Sequence, residues 1–196
     1  MALKLVTAPA TYPVTLDECK AHCNVDFTDH DSLLEIYRRA ATEDAENFTG
    51  RAFIEQTWDF WLDAFPEDSG PIYLPRSPLI ELVSFGHGAA GDETAITRYV
   101  LDNGSEPARL LPAHGEEWPE AIEIGNAVRM RFKAGYVTDD SPQAANVPFA
   151  VKSAILLTVG TLYAHRETVI VGTNTMMMPW ASKELLRPYR VYRGMA

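Results

Sequence analysis

Cysteine is scarce in this chain: Cys19 and Cys23 are the only two in 196 residues. They are spaced i, i+4 on a predicted helix, which sets their Cβ atoms about 5–6 Å apart. A disulfide needs roughly 3.8 Å. A disulfide scaffold is therefore excluded, and reduced thiols in a protein assembled in the cytoplasm are expected. Cys19, His22, Cys23 and Asp26 form the most metal-like cluster. Structural zinc takes a second ligand pair from elsewhere in the chain, and none is visible. These residues read as packing and surface positions, with no metal and no cofactor expected.

Basic residues are also in short supply. Lys and Arg number 17 against 27 Asp and Glu, a net charge of −10. The deficit is uneven: residues 1–50 hold 4 basic and 9 acidic groups, residues 51–146 hold 7 and 16, and residues 147–196 hold 6 and 2. An acidic body does not wrap nucleic acid, because phosphate neutralisation needs Lys and Arg. The basic C-terminal quarter suits an acidic partner.

Long hydrophobic runs are missing. The most apolar stretch, 147–164, is interrupted by Lys152, Ser153, Thr158 and Thr161. A spanning helix needs about 20 mainly apolar residues, so a buried helix is expected and no membrane role. The start MALKLVTAPATYP has no basic segment followed by an apolar stretch, so no secretory leader is expected. Catalytic signatures are missing as well: there is no G-x-S-x-G, no H-E-x-x-H and no P-loop lysine. The one acid–base arrangement is His114 beside Glu116 and Glu117. It supplies an alternative reading as a small hydrolase, but it sits in a Pro/Gly-bounded loop, where a solvated role is the simpler expectation.

What the chain does contain is a change of period. Thr15 with Glu18 forms a capping box for a short helix ending near Asn24. A long helix then starts around 29–32, with Ser32 and Glu35 as a second candidate box. Leu33, Tyr37, Ala41, Ala45 and Phe48 recur at helical spacing, and Gly50 is the natural stop. Beyond it Ile54, Gln56, Trp58, Phe60 and Leu62 alternate on one face of a strand. Short strands are expected at 72–74, 79–85, 96–101 and 109–111, with turns at 68–70, 86–91 and 102–104. The clearest strand is 127–137, with Arg129, Arg131 and Lys133 on the face opposite Val128, Met130 and Phe132. Those three cations read first as a wet sheet face and second as a ligand surface. Pro148 suits the first turn of a helix over 147–167. That helix is apolar on nearly all sides, so it must be covered on all sides. A short helix at 182–186 ends at Pro188, and residues 189–196 read as an extended basic tail.

The expected fold class is therefore α+β, a helical platform with an inserted antiparallel β-module. The expected parts are an N-terminal helical segment 1–51, a β-rich insertion 52–137, and C-terminal helices with the tail at 138–196. Residues 15–51 and 147–187 are expected to form one helical domain.

The ordered runs PVTLDECKAHCNVD, DHDSLLEIYRRAATEDAENFTGRAFIEQTWDFWLDAFP, IYLPRSPLIELVSF, PARLLP with the nearby WP, NAVRMRFKAGY, VPFAVKSAILLTVGTLYAHRE and PWASKELLRPYRVYR span nearly the whole chain. In order and spacing they resemble the head–tail connector, or adaptor, proteins of long-tailed bacteriophages and gene transfer agents. Cys19, Cys23 and the Met-rich loop 176–178 depart from the usual pattern. The resemblance implies a virion protein of the neck, not an enzyme. It implies a homo-oligomeric ring, usually dodecameric, beneath the portal protein. That ring joins the DNA-filled head to the tail or to the next neck or tail-completion protein, and DNA passes through it without specific binding. Assembly in the bacterial cytoplasm follows. Given that partner, the tail residues Arg187, Tyr189, Arg190, Val191, Tyr192 and Arg193 are candidates for portal binding, since Arg and aromatic side chains anchor interfaces. Tyr37, Arg166, Glu167, Met177 and Trp180 are candidates for contacts between subunits.

Overall fold

The computed structural model describes residues 1–120, 124–136, 146–165 and 180–192, with the side chain of Trp180 outside that description. The chain is α+β and divides into two compact units. One comprises residues 1–10, 50–137 and 191–196; the other comprises residues 11–49 and 138–190.

The second unit is helical. Helix α1 (Leu16–Cys23) is capped as the sequence predicts: the Thr15 side chain accepts from the Glu18 amide, and Glu18 returns the bond to the Thr15 backbone. Asn24 ends it in the left-handed region, where Asn is tolerated better than most residues. Helix α2 runs Asp31–Thr49. Ser32 lies inside it, so the second capping box does not form; the His30 carbonyl accepts the Leu34 amide instead. The buried stripe is Leu34, Ala41, Thr42, Ala45 and Thr49, rotated from the predicted one. Leu33, Tyr37 and Phe48 are only half-buried. Thr42 and Thr49 join the apolar face because each hydroxyl donates to the carbonyl four residues back, at 2.8 Å, which removes the cost of an unpaired buried hydroxyl.

Helix α3 (Phe149–Ala164) starts two residues later than predicted. Pro148 is its N-cap and His165 its C-cap. Arg166 and Glu167 lie outside the described residues. Val151, Ala154, Ile155 and Val159 are buried, and α3 packs against α1, α2 and α4 (Trp180–Leu186). His30 Nδ1 lies 2.7 Å from the Tyr163 hydroxyl, tying the start of α2 to the end of α3. Pro188 does not end the chain's helical path outright: it sits in a 3₁₀ turn over Arg187–Tyr189, and the extended backbone resumes at Arg190. Among the described residues no helix is long and apolar enough to cross a membrane.

The first unit is built of antiparallel sheets. Strands β1 (Ala2–Thr7), β2 (Gln56–Leu62), β4 (Leu79–Ala89), β5 (Asp92–Ala95) and β8 (Val128–Ala134) form a sheet in the order β1-β2-β8-β4-β5. Strands β3 (Ile72–Tyr73), β6 (Tyr99–Asp102) and β7 (Arg109–Pro112) form another, ordered β3-β7-β6. The N-terminal segment, grouped with the helices on sequence grounds, contributes β1 to the larger sheet through its pairing with β2. The 86–91 segment, expected as a turn, is instead the end of β4 and the start of a hairpin with β5. Gly86 and Gly88 permit this: a Cβ at Gly88 would lie 2.6 Å from the Asp92 carbonyl oxygen. The core of this unit gathers Trp58, Phe60, Leu79, Phe85, Leu110, Trp118, Val128, Met130 and Phe132. Trp118 stacks on Phe65, and its indole N–H donates to the Gly70 carbonyl at 2.9 Å, so a large ring is buried with its polar atom satisfied.

Candidate functional site

Strand β8 carries a basic stripe. Period-two alternation puts Arg129, Arg131 and Lys133 on one face while Val128, Met130 and Phe132 enter the core. Register places Asp59 of β2 directly opposite Arg131. Asp59 is buried, 4% exposed. It accepts from Arg131 Nε at 2.6 Å and Nη2 at 2.8 Å, and from Arg129 Nη2 at 2.9 Å. The Arg131 hydrogen bond, with Arg129 beside it, holds the Asp59 carboxyl below the usual carboxylate range against the opposing effect of burial. Glu93 lies 3.5 Å from Arg129, and Glu81 lies 3.2 Å from Lys133. An open pocket of about 270 Å³ lies beside these groups, lined by Ser84, Phe85, Gly86, Glu93, Ala95 and both arginines. The stripe is thus a wet, largely self-neutralised face, and it offers DNA phosphates little net charge.

A second ion pair lies where the chain leaves α2. Gly50 takes a left-handed φ of +72°, and Arg51 follows, 8% exposed. Arg51 Nη1 donates to Glu106 Oε1 at 2.9 Å, and Nη2 also reaches the second Glu106 oxygen. That bidentate contact holds the Glu106 carboxyl low.

The tail begins as an integral part of the helical unit. Leu186 is buried. Lys183 Nζ and Arg190 Cζ sit 5.8 and 5.5 Å from the Phe48 ring centroid, so the two cations share one aromatic ring. Arg187 pairs with Glu184 at 3.0 Å. Tyr189 closes the 3₁₀ turn. Val191 is half-buried, and Tyr192 is 63% exposed. Arg193 lies outside the described residues. Of the candidate contacts between subunits, Tyr37 is half-buried on α2 and Trp180 opens α4; Arg166, Glu167 and Met177 lie outside the described residues. Sequence reasoning missed two exposed apolar side chains on the helices, Phe149 at 83% and Ile36 at 62%. The signal for Phe149 was present: an all-round apolar α3 leaves one face over once its own unit is packed.

The residues weighed for chemistry do not converge. His114 is exposed, and Glu116 is engaged by Arg98. Cys19 is fully buried, and burial pushes its thiol up to about 11. Burial raises the Cys23 thiol too. Both cysteines are free. Among the described residues no group of His, Cys, Asp or Glu is arranged to hold a metal ion.

Comparison with known proteins gives this arrangement a context. Residues 13–84 match the family model described as Phage gp6-like head-tail connector protein. No curated protein matches the sequence. Among solved structures, a chain of the virion of a native gene transfer agent particle matches with a TM-score of 0.80 at 23% identity, covering 100% of this chain and 98% of that one. A chain from the neck of the empty particle, computed with C6 symmetry, matches at 0.79 with the same identity and coverage. A chain from the neck of the native particle, computed with C12 symmetry, matches at 0.74. Over its whole length the chain has the fold of a gene transfer agent neck component, and over residues 13–84 it is similar in sequence to the Phage gp6-like head–tail connectors.

Proposed function

We propose that this chain is a structural head–tail connector of a virion neck. It assembles as a ring of identical copies beneath the portal and joins the DNA-filled head to the tail. The observation that carries the reading is the end-to-end likeness of fold to a neck component, combined with the connector match at residues 13–84. The rotational symmetry of the matched necks supports a ring, and the C12 case supports twelve copies. The acidic composition is compatible with a DNA channel that does not retain its cargo, and the β8 cations are matched by Asp59, Glu93 and Glu81. Nothing favours hydrolysis: His114 is exposed, with Glu116 drawn to Arg98.

Within that reading the C-terminal segment binds the portal. Arg187, Tyr189, Arg190, Val191, Tyr192 and Arg193 supply the basic and aromatic groups that anchor interfaces. The own-chain contacts of Lys183 and Arg190 with Phe48 support a tail that is rooted in its subunit, with Tyr192 exposed. Tyr37, Trp180, Arg166, Glu167 and Met177 remain proposed contacts between subunits. The test is deletion of residues 188–196. The subunit is expected to fold, and the particles are expected to be DNA-filled heads without tails. Wild-type portal affinity in the truncated chain would reject the tail as tether.

A further inference from the structure

Among the described residues the larger sheet has two open edges, and they differ in charge. At one edge β1 pairs only with β2, and all six of its residues are exposed. At the other β5 pairs only with β4, and all four of its residues are exposed. An edge strand of this length presents unpaired amide and carbonyl groups to any strand that approaches.

Register fixes which face each side chain takes. Residues directly opposite in an antiparallel pair share a face. Leu3 and Leu5 lie opposite Phe60 and Trp58, so they extend the apolar face of the sheet. They nevertheless remain 37% and 39% exposed. Lys4 lies opposite Asp59, which lies opposite Arg131. Glu93 lies opposite Gly88, on the same face as Gly86, which lies opposite Arg129. Lys4 and Glu93 therefore occupy the same polar face at opposite edges of one sheet.

We infer that β1 of one copy pairs with β5 of the next, making a sheet continuous between neighbouring subunits. The occupant of each edge is a second copy of this chain, and the argument is charge. Two β1 edges brought together would oppose Lys4 to Lys4. Two β5 edges would bring Asp92 and Glu93 against their own kind. Only the unlike pairing sets Lys4 against Glu93, and opposite charges stabilise a cross-strand pair where like charges destabilise it. A pairing of unlike edges is heterologous, which is the kind of contact that closes into a ring. The apolar Leu3 and Leu5 then gain neighbours on the core side of the junction.

This inference rests on the ring proposed above. Its test uses assembled particles carrying Lys4→Cys and Glu93→Cys in one chain, with Cys19→Ala and Cys23→Ala to remove the native thiols. Oxidised necks are run on a denaturing gel without reductant. A ladder of dimers and higher multiples that collapses on reduction is expected, while each single-site variant stays monomeric. Closed rings by electron microscopy that run only as monomers would overturn the pairing while leaving the connector reading intact. Dimers from Lys4→Cys alone would mean that like edges meet. Particles without any ring of this chain would overturn both. As a second measurement, Lys4→Glu is expected to lose incorporation into particles, and adding Glu93→Lys is expected to restore it. Unchanged incorporation of Lys4→Glu would equally overturn the pairing.

Discussion

Asp59 and Arg131 face each other across β2 and β8, and two nitrogens of the guanidinium reach the two oxygens of the carboxylate at 2.6 and 2.8 Å. The carboxylate is buried while the guanidinium is about one-third exposed. This pair, with Arg129 as its third member, fastens the centre of the five-stranded sheet on its polar face. Replacing Asp59 by Asn removes the negative charge that both arginines share. A loss of about 1.5–3 kcal/mol is expected in chemical denaturation, the range for hydrogen bonds to charged groups.

The same pair sets a pH dependence. The folded-state pKa of Asp59 is lowered, so its contribution is present above the unfolded value of about 3.9 and is lost as pH falls through the lower folded value. Wild-type stability is expected to decline below about pH 4 in part for this reason. The Asp59→Asn variant should show a shallower decline over that window, measured by urea titration at stepped pH.

Gly135 has a φ of +146°, and a Cβ there would lie 2.6 Å from the Glu55 amide nitrogen and the Ile54 carbonyl carbon. Both neighbours are backbone, which cannot rotate away. Gly135→Ala is expected to destabilise the sheet unit by more than about 1 kcal/mol. A thermal melt unchanged from wild type would show that the backbone approach is looser than described.

On α3, Ile155 and Phe149 should separate folding from assembly. Ile155 is fully buried, and its truncation to Ala is expected to cost about 2–5 kcal/mol. Phe149 is 83% exposed, and its truncation should change the stability of the isolated subunit by no more than about 0.5 kcal/mol. Leu156 is half-buried and should fall between the two. Denaturant unfolding of the three variants checks the order.

Cys19, Cys23 and His114 are expected to be dispensable for chemistry. Cys19 is buried with its thiol raised to about 11, so the folded chain should resist alkylation there at neutral pH. Particles carrying Cys19→Ala, Cys23→Ser or His114→Ala should still transfer DNA. Loss of transfer from the His114 change with normal assembly would contradict this.

The period switch was legible in the sequence because α2 and β2 have unambiguous spacings, 3.6 and 2, separated by a glycine with one conformational purpose. The capping box at Thr15 was legible because its chemistry is local. The rotated stripe of α2 was not, because Thr42 and Thr49 look polar until their hydroxyls are seen donating to α2 carbonyls. The β4–β5 hairpin was hidden by Gly86, Gly88 and Gly91, which read as loop; the first two serve close backbone approach, and Gly91 takes a left-handed φ of +89° at the turn. Asp59 was missed as a hub because alternation alone put it on a wet face; only the register with Arg131 and Arg129 makes it a buried acceptor. The tail's composition was readable, but its rooting on Phe48 depends on a helix well over a hundred residues earlier.

The central claim is that this chain joins head to tail. The measurement that tests it most directly is negative-stain imaging of particles produced without it. The account predicts DNA-filled heads and separate tails, with joining restored when the chain is supplied in trans. Normally joined particles in its absence would contradict the account.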